Sequence, residues 1–106
     1  PAARARLDSL AQTLREVSAD IPPEIDWVLR IDGHTDKRPI NTPRFPSNWE
    51  LSSARAIAIV KYLVVAGIPA NRLAANGFGE FRPLDPSNSE AAHAINRRIE
   101  IQLTNR

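Results

Sequence analysis

Apolar residues near the start of the chain recur in steps of four and three: Ala3, Leu7, Leu10, Leu14 and Val17. That spacing gathers them on one face of a helix and leaves Arg4, Asp8, Gln12 and Arg15 elsewhere on its surface. Pro22 and Pro23 end the helix, because neither supplies a backbone donor. From Ile25 the period changes to two. Ile25, Trp27, Leu29 and Ile31 point one way, and Asp26, Val28, Arg30 and Asp32 the other. This alternation predicts a half-buried strand that ends at Gly33.

Residues 37–47 hold Pro39, Pro43 and Pro46 and read as an irregular, proline-stiffened loop. Ser47 with Glu50 has the form of a capping box and opens a helix that runs to Gly67, a C-terminal cap with Pro69 just beyond. Ala54, Ala58, Tyr62 and Val65 are expected on its core-facing side. A weaker strand follows around Leu73–Asn76, released by Gly77 and Gly79. Ser87 with Glu90 repeats the capping-box form before a short helix through about Arg97. Ile99, Ile101 and Leu103 then alternate as a last strand.

Helices and strands thus take turns along the chain, which predicts an α/β (α+β) two-layer sandwich with helices over one face of a small mixed sheet. The other face should stay partly exposed, because two of the strands alternate apolar with polar residues. At 106 residues the chain has the size of one domain, here 1–106. Fourteen basic residues sit against twelve acidic ones, a balance too even for a nucleic-acid surface. With no cysteine, disulfides, zinc knuckles and thiol chemistry are excluded. No apolar run nears the roughly 20 residues that span a bilayer. The chain opens on a proline rather than a methionine, so it reads as a fragment.

The segment LRIDGHTDKRPI, Leu29–Ile40, concentrates the candidate chemistry. His34 and Asp36 lie two apart and can face one side of an extended segment. No nucleophile elbow accompanies them, and only Asp32 stands near as a second acid. A catalytic site is therefore not expected. His93 is the only other histidine, and the set has no ligand-like spacing, so no metal and no cofactor is expected. His34 reads as a hydrogen-bonded histidine at a strand end. Asp36 is either a turn aspartate bonded to backbone amides or a ligand group. On the helix that follows, Asn48, Leu51, Ser52 and Arg55 share one face near the N-terminus. A carboxylate and a guanidinium in one cleft can pair, or divide a zwitterion between them, the carboxylate holding an ammonium and the arginine a carboxylate.

Four separated segments, GHTD, NWELSSARA, GFGEFRP and NRRIEI, resemble in order the signature segments of the OmpA/MotB-like C-terminal domain. The resemblance covers about Leu29–Leu103. The form PSNWELSSARA, after a long proline-containing loop, is most similar to the MotB branch of flagellar stator anchors and related inner-membrane proteins. The outer-membrane branch usually has a glycine after the Thr-Asp pair, where Lys37-Arg38-Pro39 stands here. The resemblance implies noncovalent binding of peptidoglycan, without turnover, through the diaminopimelate of the stem peptide. Matched by motif, it implies Thr35, Asp36, Asn48, Leu51 and Arg55 as ligand-binding residues, with Arg97 at the lip. It implies a periplasmic domain of a Gram-negative envelope protein whose parent is membrane-anchored, in the inner membrane. Because the family fold starts with a strand before its first helix, the resemblance predicts either three strands here, the first being missing, or a replacement strand from a neighbouring molecule. The alternative is a protein-interaction or homodimerisation module with a vestigial cleft, for which the stripe of the first helix speaks. A periplasmic hydrolase ranks last.

Overall fold

A computed structural model describes residues 2–105, with side chains from Arg4 onward. In chain order the elements are α1 (Ala2–Ala19), β1 (Trp27–His34), α2 (Asn48–Val65), a single 3₁₀ turn (Ala70–Arg72), β2 (Leu73–Gly77), α3 (Glu90–Asn96) and β3 (Arg98–Asn105). The three strands form one mixed sheet in the order β2-β1-β3, with β1 parallel to β2 and antiparallel to β3. The two-layer α/β architecture and the count of three strands agree with the sequence expectation.

The strand predicted from Ile25 starts two residues later. Ile25 is exposed, while Trp27, Leu29 and Ile31 are buried and form the core with Ala11, Ala56, Leu63 and Ile68. The stripe on α1 is only half used. Leu7 and Leu14 are half-buried, Leu10 and Val17 are exposed, and Ala11 is the one α1 residue in the buried core. The side chain of Ala3, first of that stripe, lies outside the described residues. A small residue at the crossing point lets the helix axis approach, and the larger side chains straddle it.

The face of α2 expected in the core is only partly there, with Ala54 half-buried and Tyr62 packed at the core's edge. Ala58 is exposed and Val65 is 89% exposed, whereas Ser52, Ala56 and Leu63 are buried. The reason lies in the sheet beneath. A Cβ on Gly33 would overlap the Ser52 carbonyl oxygen, and one on Gly77 would overlap the Ser53 hydroxyl. The helix therefore rests on bare main chain, and only its small side chains can face that contact. Tyr62 turns instead toward α1, where its hydroxyl bonds Asp8 and Arg4 stacks over its ring.

The ends of α2 follow local rules. The Ser47 hydroxyl accepts the Trp49 amide at 3.2 Å and donates to the Glu50 carboxylate. At the other end Gly67 has φ +106°, a conformation that costs residues with a Cβ. Its amide bonds Val64 O and that of Ile68 bonds Leu63 O, a Schellman closure that buries Ile68 against the core. The predicted cap of α3 is corrected. Ser89, not Ser87, accepts the Ala92 amide at 3.0 Å, while the Ser87 amide donates to Asp85. Ser87 is held in a local turn and stands too far upstream to reach the helix's free amides.

The outer face of the sheet is polar but covered. Asp32, 1% exposed, accepts from Arg30, Asn76 and Gln102. His34 stacks on Phe78 at 5.1 Å, and Arg82 lies over the same ring. The expectation of a partly open face fails at these two positions, because long neighbouring side chains fold over them.

Gly33→Ala should lower stability by about 1–3 kcal/mol, since the added methyl must push α2 off the sheet. Urea unfolding of the two proteins measures it; an unchanged midpoint would show that the helix can lift away without cost.

Candidate functional site

The chain leaves β1 through Thr35 and Asp36, both buried. Pairing with the β2 side continues past the strand ends, with Phe78 N on Gly33 O at 3.0 Å and Thr35 N on Gly79 O at 2.9 Å. The Ser52 hydroxyl accepts the Gly79 amide at 3.0 Å, which ties α2 to the same turn. Asn48 fastens the loop between β1 and α2. Its side-chain amide is shared among Arg38 O at 3.2 Å, Glu80 Oε1 at 3.2 Å and Asp36 O at 3.5 Å.

These attachments leave an open cleft of about 220 Å³. Thr35, Asp36, Asn48, Leu51, Arg55 and Arg97 all line it, together with Arg38, Pro39 and Ile40. All six residues named from the sequence, drawn from β1's exit, α2 and the α3–β3 junction, thus meet in one place. Ser52, grouped with them on the helix face, does not. It is fully buried and faces the sheet. A larger groove of about 340 Å³ separates α1 from α2, but its polar groups are engaged across the seam, Asp8 with Tyr62 and Arg15 with the Ala66 carbonyl. Beyond the Asn48–Glu80 bond, the rings of Trp49 and Phe81 stack at 5.0 Å with both side chains more than half exposed.

Asp36 and Arg55 do not pair. Asp36 Oδ1 accepts the Arg38 backbone amide at 2.9 Å and Arg38 Nε at 3.2 Å. Its Oδ2 accepts Arg38 Nη2 at 2.7 Å and Arg97 Nη1 at 3.1 Å. Both readings of Asp36 therefore hold in part, since it bonds a backbone amide and also faces the cleft. The Arg38 guanidinium, helped by its amide and by Arg97, holds the Asp36 carboxyl well below the ordinary carboxylate range, against the opposing effect of burial. Arg97, expected at the rim, touches the carboxylate directly. Arg55 donates one long bond, 3.4 Å, to the His34 carbonyl, and makes no ion pair among the described residues.

Arg38 is the cleft residue that the sequence reading passed over as mere flanking charge. A cation two positions beyond an extended aspartate is within reach of that carboxylate, and this was the available signal. His34 also differs from expectation. Neither ring nitrogen meets a hydrogen-bond partner among the described residues, and Glu100 stands 3.9 Å from Nε2. Burial, with Arg98 nearby, pushes its pKa down against the pull of Glu100 and Asp32, so that contact is with a neutral ring. Among the described residues no group of three or more His, Cys, Asp or Glu is placed to hold a metal ion.

Comparison with known proteins agrees with the fold. Residues 1–97 match the OmpA family, and the chain belongs to that family. Motility protein B of Bacillus subtilis (strain 168) is 32% identical over 105 residues, 91% of this chain and 40% of that protein. The crystal structure of a putative MotB-like protein from Desulfovibrio vulgaris superposes with a TM-score of 0.83 at 34% identity, covering all of this chain and 64% of the other. The peptidoglycan-associated lipoprotein from Burkholderia pseudomallei superposes at 0.72 with 27% identity over 94% of this chain and 75% of its own. The chain spans less than half the length of the curated relatives it matches.

The pairing of Asp36 has a pH signature. A carboxylate whose pKa is depressed on folding contributes stability above its unfolded value, near 3.8, and loses it as pH falls through the depressed one. The Asp36 side-chain carbon resonance should therefore stay in its ionised position through pH 4 and move only in stronger acid. In Arg38→Met its midpoint should rise toward the ordinary value; an unmoved midpoint would mean that Arg97 and the backbone suffice.

Proposed function

We propose that this domain binds peptidoglycan noncovalently, holding the diaminopimelate of a stem peptide, and so anchors a larger envelope protein to the cell wall. The observation that carries the reading is the convergence of Asp36 and Arg55, with Thr35, Asn48, Leu51 and Arg97, on one cleft. Diaminopimelate presents an ammonium and a carboxylate at its side-chain end. Arg55, half-buried and without an ion-pair partner among the described residues, offers its guanidinium to the carboxylate, and Asp36 offers an acceptor to the ammonium. Leu51 and Ile40 give the methylene chain between them an apolar wall.

Kinship with motility protein B and with a peptidoglycan-associated lipoprotein supports this assignment. We read the role as holding rather than turnover, since a carboxylate and guanidiniums on one cleft suit the binding of a zwitterion. No described helix is long and apolar enough to cross a membrane, so attachment belongs to the remainder of the parent protein. We place the domain on the periplasmic side of an envelope protein, of flagellar stator type in the inner membrane. Each contact is modest, at about 1.5–3 kcal/mol for hydrogen bonds to charged groups, and many copies on one polymer would multiply the hold. A second reading, self-association, draws on the exposed Leu10 and Val17 of α1 and Leu103 of β3.

Arg55→Ala should abolish co-sedimentation with purified sacculi while leaving the unfolding free energy within about 1 kcal/mol of wild type, because the side chain makes only one long hydrogen bond to the domain. Asp36→Ala should abolish it too, and Arg97→Ala should weaken it less. Sedimentation of the Arg55 and Asp36 variants at the wild-type level would place the binding site elsewhere.

A further inference from the structure

An ionised carboxylate has about four acceptor positions, and in this cleft Asp36 uses four. Two are taken by the Arg38 side chain, one by the Arg38 amide and one by Arg97. An incoming ammonium cannot simply add to this set; it must replace a guanidinium. Arg38 is the one to yield. Its side chain is half-exposed, and its own amide bond to Asp36 keeps the residue at the cleft wall after the guanidinium lets go. Its departure frees two acceptor positions for an ammonium, where that of Arg97 would free one.

The released guanidinium then needs an anion. Glu90 already lies 3.6 Å from Arg38 Nη1, but it is 84% exposed and its attraction is screened by water. Glu80 is engaged with Asn48, and Lys37 reaches away to the Pro86 carbonyl. Within the lining itself three guanidiniums, Arg38, Arg55 and Arg97, face the one carboxylate of Asp36. A ligand with one ammonium and one carboxylate leaves that excess as it was.

Resting on the reading of the cleft given above, we infer that the preferred ligand carries one ammonium and two carboxylates, the second taken by Arg38 as the ammonium displaces it from Asp36. The diamino acid at the end of a stem peptide that stops there has this charge pattern, the γ-linked glutamyl carboxylate lying further up the stem. Its side-chain ammonium goes to Asp36, its side-chain carboxylate to Arg55 and its free main-chain carboxylate to Arg38. Stems extended or capped through that last carboxylate lose the third contact. Arg38 is thus a residue that sets which stems are chosen.

The test is calorimetric titration of the chain with a tripeptide, L-alanyl-γ-D-glutamyl-meso-diaminopimelate, and with the same peptide amidated only at its main-chain carboxyl terminus. Wild type should bind the free acid about tenfold more tightly than the amide, the worth of one charge-assisted contact. Arg38→Met should bind the two within twofold of each other, and Arg38→Lys, which keeps the charge without the fork, should retain part of the preference. Equal affinity of wild type for both peptides overturns the second-carboxylate assignment and leaves the cleft reading in place. A tenfold preference that persists in Arg38→Met also overturns it. Failure of wild type to bind either peptide overturns both.

Discussion

The first turns of α2 lie directly on the main chain of β1 and β2, and the geometry of the cleft is a consequence of that contact. Gly33 and Gly77 stand where any side chain would collide with Ser52 or Ser53. The helix is lowered until backbone meets backbone, and Ser52 locks it there by accepting the Gly79 amide. From that seat Asn48 reaches the Arg38 carbonyl, while Leu51 and Arg55 reach the stretch that leaves β1. A helix advances about 100° per residue, so a slip of one position would turn Arg55 out of the cleft altogether. Two glycines in the sheet thus position a guanidinium that neither of them touches.

Two aspartates four residues apart show how environment divides structural from available charge. Asp32 is enclosed by Arg30, Asn76 and Gln102 on the sheet's outer face, held by partners from all three strands. Removing any of them would strand a charge away from water, which is costly. Asp36 is nearly as buried, yet its guanidinium partners come from the cleft wall itself, Arg38 and Arg97, and the carboxylate lines an open cleft. The first aspartate ties strands together; the second is the one within reach of the cleft.

Much of this was legible in the residues themselves. The period-two run through Trp27, Leu29 and Ile31, the Ser47 cap and the glycine closing α2 depend on local physics, and each stands where the pattern placed it. Kinship to the OmpA family was legible in four short motifs read in order. What escaped depended on contacts distant in sequence. The buried face of α2 was assigned to Ala54, Ala58, Tyr62 and Val65, whereas the sheet's glycines seat Ser52 on the strands and so turn Ala56 and Leu63 inward. Ala11 was hidden because the stripe was read from the leucines beside it. Ser87 and Ser89 are equally good caps in isolation, and only the turn at Asp85 decides between them. Arg38, which holds Asp36, was not singled out, because it matched none of the motifs while Arg55 matched one.

The strand order carries a consequence for how the chain assembles. β1, the central strand, pairs with β3 from Trp27 with Asn105 to His34 with Arg98, so more than half of the chain lies between the partners. Closing so long a loop costs entropy before any pairing repays it, and such contacts slow a folding reaction. The parallel pairing of β1 with β2, with α2 laid across both, spans a shorter segment and can precede it. Arg97 immediately precedes β3, and Asp36 follows β1 by one residue beyond Thr35. Their meeting is therefore a by-product of the slowest pairing in the sheet. Of the cleft lining, Asp36, Arg38 and Arg55 thus depend on the shorter-range pairing and Arg97 on the longer-range one, so the strand with the costliest closure also completes the cleft wall.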